Sequence, residues 1–114
     1  MLSVDSLKTM MGIVFQNLQA VQSNLANVDT PGYKRQEVDF QTVFMELQNH
    51  GELLQPSSNY VKIDNTTSWR LDGNNVDPDK EITTLIETAL WYQGITEMLS
   101  RHFSTARQVL QMLR

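Results

Sequence analysis

Leu7-Lys8-Thr9-Met10-Met11-Gly12-Ile13-Val14-Phe15-Gln16-Asn17-Leu18-Gln19-Ala20-Val21-Gln22-Ser23-Asn24-Leu25-Ala26-Asn27-Val28 is the stretch that sets the architecture. Leu7, Met11, Val14, Leu18, Val21, Leu25 and Val28 alternate steps of four and three. That rhythm is an a/d heptad seam over three heptads and predicts a helix. Ser3, Asp5 and Ser6 are each able to cap its start. Pro31 and Gly32 stop it, because proline pushes Thr30 out of the α region. A helix from Val4 to Val28 would run roughly 37 Å.

No charged residue occurs from Thr9 to Val28. With the seam at a and d, the outermost positions are predicted to be Thr9, Gln16 and Ser23. A solvated helix normally carries charge on that face. Neutral amides and hydroxyls are cheaper to enclose than unpaired charges. The expectation is a helix enclosed by other subunits; the plainer alternative is a solvated, amide-rich face.

A second helix is predicted near the other end of the sequence. Asp77-Pro78-Asp79 supplies a capping carboxylate, a proline in the first turn and an acid near the helix N-terminus. A seam then follows at Ile82, Leu85, Ala89, Tyr92, Thr96, Leu99, Phe103, Ala106, Leu110 and Leu113. Thr96 is its one polar member, and Gly94 weakens the helix by about 1 kcal/mol against alanine. From Pro78 to Leu113 the length would be roughly 54 Å. The region between is short and mixed. Asp39 caps a small helix with Phe40, Val43, Phe44 and Leu47, and Gly51 ends it. Tyr60–Ile63 and Ser68–Leu71 have strand character, with a weak hairpin expected around Asn65 and Thr66. Asp72-Gly73-Asn74-Asn75 reads as a turn. The predicted fold is mainly α: two long helices packed as an antiparallel coiled coil around a short mixed insert. As one structural domain it divides into 1–33, 34–76 and 77–114.

Composition narrows the chemistry. The 114 residues carry 13 acids and 9 basic residues, a formal charge of -4, and no Cys. Gln, Asn, Ser and Thr occupy 36 positions. A mildly acidic chain with Lys34-Arg35 as its one basic pair argues against nucleic acid. The lack of Cys excludes disulfides, thiolate metal sites and a thiol nucleophile. His50 and His102 lack metal or catalytic spacing, and Asp77 with Asp79 reads as a helix start. No catalytic, cofactor or metal residue is assigned, and no small-molecule substrate is expected. No stretch has the roughly 20 apolar residues of a membrane span, and the first residues lack the basic region of a cleaved signal.

Ser23-Asn24-Leu25-Ala26-Asn27-Val28-Asp29-Thr30-Pro31-Gly32-Tyr33-Lys34-Arg35 resembles the signature of the bacterial flagellar rod and hook proteins. Asn24, Leu25, Ala26 and Asn27, followed by Thr30, Pro31, Gly32 and Tyr33, form the candidate assembly motif. Asn24 and Asn27 lie one turn apart, so their amides can bond this turn or a neighbouring subunit. Glu37-Val38-Asp39-Phe40, Asp72-Gly73-Asn74-Asn75-Val76-Asp77 and Ala89-Leu90-Trp91-Tyr92-Gln93 are similar to segments of the short proximal-rod members. Distal-rod and hook members carry larger inserts. The resemblance implies a non-enzymatic subunit of the basal-body rod, exported without a cleaved signal and packed helically across the periplasm to transmit torque. Implied partners are copies of itself, other rod proteins, and membrane-ring and export-gate components at the rod base. A soluble helical adaptor or export chaperone is the competing reading, and would carry a charged exterior.

Overall fold

The computed structural model describes residues 3–68 and 70–113. Its order is α1 (Val4–Ala26), β1 (Gln36–Val38), α2 (Phe40–His50), a 3-10 turn (Ser57–Tyr60), β2 (Val61–Ile63) and α3 (Pro78–Met112). Each helix starts at a side-chain cap. Of the three candidates before α1, Ser3 takes the role and accepts from the Ser6 amide at 3.1 Å. Asp39 accepts from the Thr42 amide and hydroxyl at 3.2 and 2.7 Å, and Asp77 accepts from the Asp79 amide at 3.1 Å. Gly51 ends α2 at φ 72°, a left-handed conformation that glycine adopts without a Cβ penalty.

α1 and α3 form the long hairpin, and the molecule extends 68 Å along its axis. α3 has 35 residues against 23 in α1, so its last turns project past the start of α1 as an overhang. The insert packs on the other flank of α1. Ile13 meets Val38, Val43 and Tyr60 there, with Leu47, Leu53 and Val61 around them. No described helix is long and apolar enough to cross a membrane.

The structure corrects three sequence-based expectations. β2 pairs antiparallel with β1, in the register Gln36 to Ile63, Glu37 to Lys62 and Val38 to Val61. The expected hairpin with Ser68–Leu71 does not form: Ser68, Arg70 and Leu71 lie outside any strand, and Trp69 is outside the described residues. The physical reason is that β1 is anchored on α1 by side-chain bonds and so offers β2 a fixed edge. Second, the α3 stripe that α1 buries is Glu81, Thr88 and Ile95, with Leu85, Tyr92 and Leu99 half-buried between them. Ile82, Ala89 and Thr96, one position further on, are exposed, as are Phe103, Ala106, Leu110 and Leu113. The true seam is rotated by one residue because α1 presents asparagines, which select polar partners. Third, Thr9, Gln16 and Ser23 are each partly buried, and from Lys8 to Gln22 the exposed residues of α1 are Lys8, Phe15, Gln19 and Gln22. The insert draws Ile13, Asn17 and Ala20 inward, which turns the helix away from a two-helix geometry.

Amide hydrogen exchange on dilute protein should show this asymmetry. Residues 84–95 of α3, covered by α1, should exchange slowly, and residues 103–112 rapidly. Equal protection along the whole helix would contradict the unsupported overhang.

Candidate assembly site

The candidate motif surrounds Asn24, which is 0% exposed. Its Nδ2 donates to the Gln36 carbonyl at 2.8 Å and to Glu81 Oε2 at 3.1 Å. Its Oδ1 accepts from the Gln36 amide at 2.8 Å and the Tyr33 hydroxyl at 3.0 Å. Two donor hydrogens and two lone pairs are therefore all engaged. One heptad earlier, Asn17 repeats the arrangement. Its Nδ2 donates to Thr88 Oγ1 at 3.0 Å, and its Oδ1 accepts a longer bond from the Val38 amide at 3.5 Å. Each asparagine thus ties β1 on one flank of α1 to α3 on the other.

Glu81 is 1% exposed in the first turn of α3. Its Oε1 accepts from Arg35 Nε at 2.7 Å, while Asn24 holds Oε2. The same guanidinium donates through NH1 to Glu37 at 2.8 Å and Asp64 at 3.0 Å. Burial works against the Arg35 charge, but bonds to Glu37, Glu81 and Asp64 outweigh it and raise its pKa further above the usual range. Asp64 is held below the ordinary carboxylate range, first by the Thr66 amide and also by Arg35. Asp39 is likewise lowered, chiefly by the Thr42 hydroxyl and amide and to a lesser extent by Lys62. Burial and the adjoining Glu46 carboxylate raise the Tyr60 hydroxyl.

The end of α1 is closed from a distance. Asn74 is buried, and its Nδ2 donates to the carbonyls of Asn27, Val28 and Thr30 at 2.9, 3.1 and 2.9 Å. Its Oδ1 accepts from the Val76 amide at 2.8 Å. Arg70 adds a bond to the Val28 carbonyl at 2.7 Å. The Asn27 side chain turns back to the Ser23 carbonyl at 2.8 Å, and Thr30 donates to Asn27 Oδ1 at 3.1 Å. These donors reach carbonyls that a helix end leaves without intrahelical partners. Gly32, at φ 74°, donates its amide to the Asp72 carbonyl at 2.8 Å, joining the turn to the 72–75 segment. Asn75 accepts from the Arg35 amide at 2.7 Å and donates to the Asp64 carbonyl at 2.8 Å.

The structure therefore brings Asn24, Asn27, Thr30 and Tyr33 into one network. Leu25 is half-buried beside it, while Ala26, Thr30, Pro31 and Gly32 reach the surface. Among the residues expected to pack helix on helix, Leu7 and Val21 are buried, and Met11, Val14 and Leu18 are half-buried. Sequence reasoning missed Asn17, Arg35, Asn74, Asn75, Glu81 and Thr88 as site residues. One signal for them was present: Asn17 and Asn24 share a heptad interval, as do Glu81 and Thr88. No buried side-chain nitrogen or oxygen among the described residues lacks a hydrogen-bond partner.

The chain is similar in sequence to several known proteins over most of its length. The flagellar basal body rod protein FlgB of Bacillus subtilis (strain 168) is 31% identical over 103 residues, covering 81% of this chain and 80% of the relative. FlgB of Escherichia coli (strain K12) is 29% identical over 115 residues, covering 84% and 83%. FlgB of Borreliella burgdorferi is 24% identical over 129 residues, covering 96% of each. No protein-family model matches the chain.

Two measurements test the network. Arg35→Met leaves Glu81 buried without its cation and should cost about 3–5 kcal/mol in urea unfolding, with Glu81→Gln in the same chain restoring part of the loss. A cost under about 1 kcal/mol would show that Glu81 gains water instead. The second is acid sensitivity. Asp39 and Asp64 have folded pKa values below their unfolded ones, so their contribution is complete above the unfolded value of about 3.9. It is lost as pH falls through the folded values. The urea midpoint should hold between about pH 5 and 7 and drop below about pH 4, and Asp64→Asn should make that drop shallower.

Proposed function

The chain belongs to the family of flagellar basal body rod proteins named FlgB, and we propose that it builds the proximal segment of the rod by helical self-assembly. It is a structural subunit of the flagellar basal body. Its neighbours in this reading are copies of itself and other rod proteins, with membrane-ring and export-gate components at the base. The assembled rod crosses the periplasm and carries motor torque, and the subunit reaches it through the flagellar export route without a cleaved signal.

The observation that carries this reading is the outer face of α3. Ile82, Ile86 and Leu90 are exposed there, and Trp91 and Met98 are exposed at its edge. An apolar face of this extent marks a surface that other chains cover. The charge-poor outer face of α1 supports the same reading, since Gln19 and Gln22 can be enclosed with hydrogen bonds and without stranded charge. The polar network fixes the α1–α3 register within each subunit, which suits a part that transmits torque. An assembly role for Thr30, Pro31 and Gly32 follows from their place at the surface, on a turn held rigid from below.

The test is complementation of a strain lacking this subunit with Ile86→Glu/Leu90→Glu. Both side chains are exposed, so the purified chain should change in stability by within about 0.5 kcal/mol for each. In cells the variant should be made and exported but fail to enter basal bodies, and motility should be lost. Normal swimming would show that this face stays in water.

A further inference from the structure

Taking the rod-subunit reading as its basis, we propose that the overhang of α3, Phe103–Met112, seats in the apolar groove between α1, α2 and α3 of a second copy of this chain. The groove holds about 400 Å³. Met10 and Ile13 wall it from α1, Phe40 and Phe44 from α2, and Thr88 and Trp91 from α3. The Phe40 and Phe44 rings stack with centroids 6.2 Å apart, and both remain exposed.

The chain cannot fill this groove with its own overhang. α3 is one unbroken helix, so Phe103 lies about 18 Å beyond Trp91 along the same axis. The overhang nonetheless has the form of a groove-binding helix. Phe103, Ala106 and Leu110 form one stripe at steps of three and four, continued by Leu113, and all four are exposed. Helices that dock in grooves use anchors at this spacing.

Charge selects the occupant. From Met98 onward there are three Arg and no Asp or Glu, so all 13 acids lie before that point. Between Gln36 and Tyr60, the stretch that supplies α2, there are four acids and no Lys or Arg; Arg35 and Lys62 pair Glu37 and Asp39, which leaves Glu46 and Glu52 without an ion pair among the described residues. Among the described residues, Glu87 is the one ionisable side chain lining the groove. Arg107 lies four residues after Phe103 and three before Leu110, so it flanks the stripe that enters. Overhang against overhang is repelled, and overhang against groove is attracted. The donating and receiving surfaces differ, so the contact is head-to-tail, the type that propagates into rings or filaments.

Disulfide trapping with the full chain tests the contact, because the chain has no Cys of its own. Phe44→Cys protein is mixed with Leu110→Cys protein and oxidised, and the mixed dimer is read on a non-reducing gel. Leu71→Cys, exposed near the opposite end of α1, is the control in place of Phe44→Cys. The groove pair should cross-link about tenfold faster than the control pair, through the raised effective concentration of docked thiols. Arg107→Glu in the donating copy should remove that advantage, and Glu87→Arg in the receiving copy should restore it. Equal rates for groove and control would overturn the docking. So would an adduct of Phe44→Cys/Leu110→Cys protein in isolated basal bodies whose mass is not a multiple of that of the chain. Neither result bears on the fate of Ile86→Glu/Leu90→Glu in cells, so the docking and the rod reading fail separately.

Discussion

Glu81 is a carboxylate enclosed at the meeting point of α1, the insert and α3, and the rest of the arrangement answers to it. An enclosed anion is tolerable only with a counter-ion and with its remaining lone pairs bonded. Arg35 supplies the charge and Asn24 the second donor. Both must arrive from elsewhere in the chain, so satisfying Glu81 fixes three backbone segments at once. Arg35 comes immediately before β1, whose first residue Asn24 grips by both its amide and its carbonyl. The first turn of α3 is thereby held against the last turns of α1.

Such a contact contributes more to register than to net stability, because desolvation consumes much of the Coulomb gain. A uniform apolar seam repeats every seven residues and tolerates a slip of one heptad. Here a slip that set Glu81 opposite Asn17 would take it from Arg35, and would set Thr88 opposite Met10 with its hydroxyl confined to an intrahelical bond. The polar pairs Asn24–Glu81 and Asn17–Thr88 therefore work as a two-point key between antiparallel helices.

The helices were legible in the sequence because their signals are local. Asp39, Asp77-Pro78 and Gly51 act within a turn of where they stand, and the structure places all of them at helix boundaries. The seam of α3 was less legible. Apolar periodicity picks the most hydrophobic face, and in α3 one edge of that face, Ile82, Ala89 and Thr96, points outward while Leu85, Tyr92 and Leu99 are half-buried. The inner face carries Glu81 and Thr88, whose partners are asparagines 57 and 71 residues earlier in the chain. β1 escaped notice for a related reason: Gln36-Glu37-Val38 has little strand character, and its conformation comes from Asn24 and Asn17. The Asp72–Asn75 segment is a turn locally, as its composition indicates. Its other task, closing α1 through Asn74, is visible only when one asks which donors satisfy the carbonyls of Asn27, Val28 and Thr30.

The contact between α1 and α3 departs from the usual order of a soluble domain. Polar side chains are spent inside, in a network whose hydrogen-bonding capacity is filled within one chain. Apolar side chains on α3 and neutral amides on α1 are left outside. Enclosing neutral amides requires new hydrogen bonds but no counter-ions, and covering the apolar face is favourable in itself. Neighbouring subunits can therefore close on both faces without competing for Asn24, Glu81 or Arg35. The internal register is then the same before and after assembly. What a single chain leaves uncovered is the overhang of α3, whose apolar stripe lies beyond the start of α1.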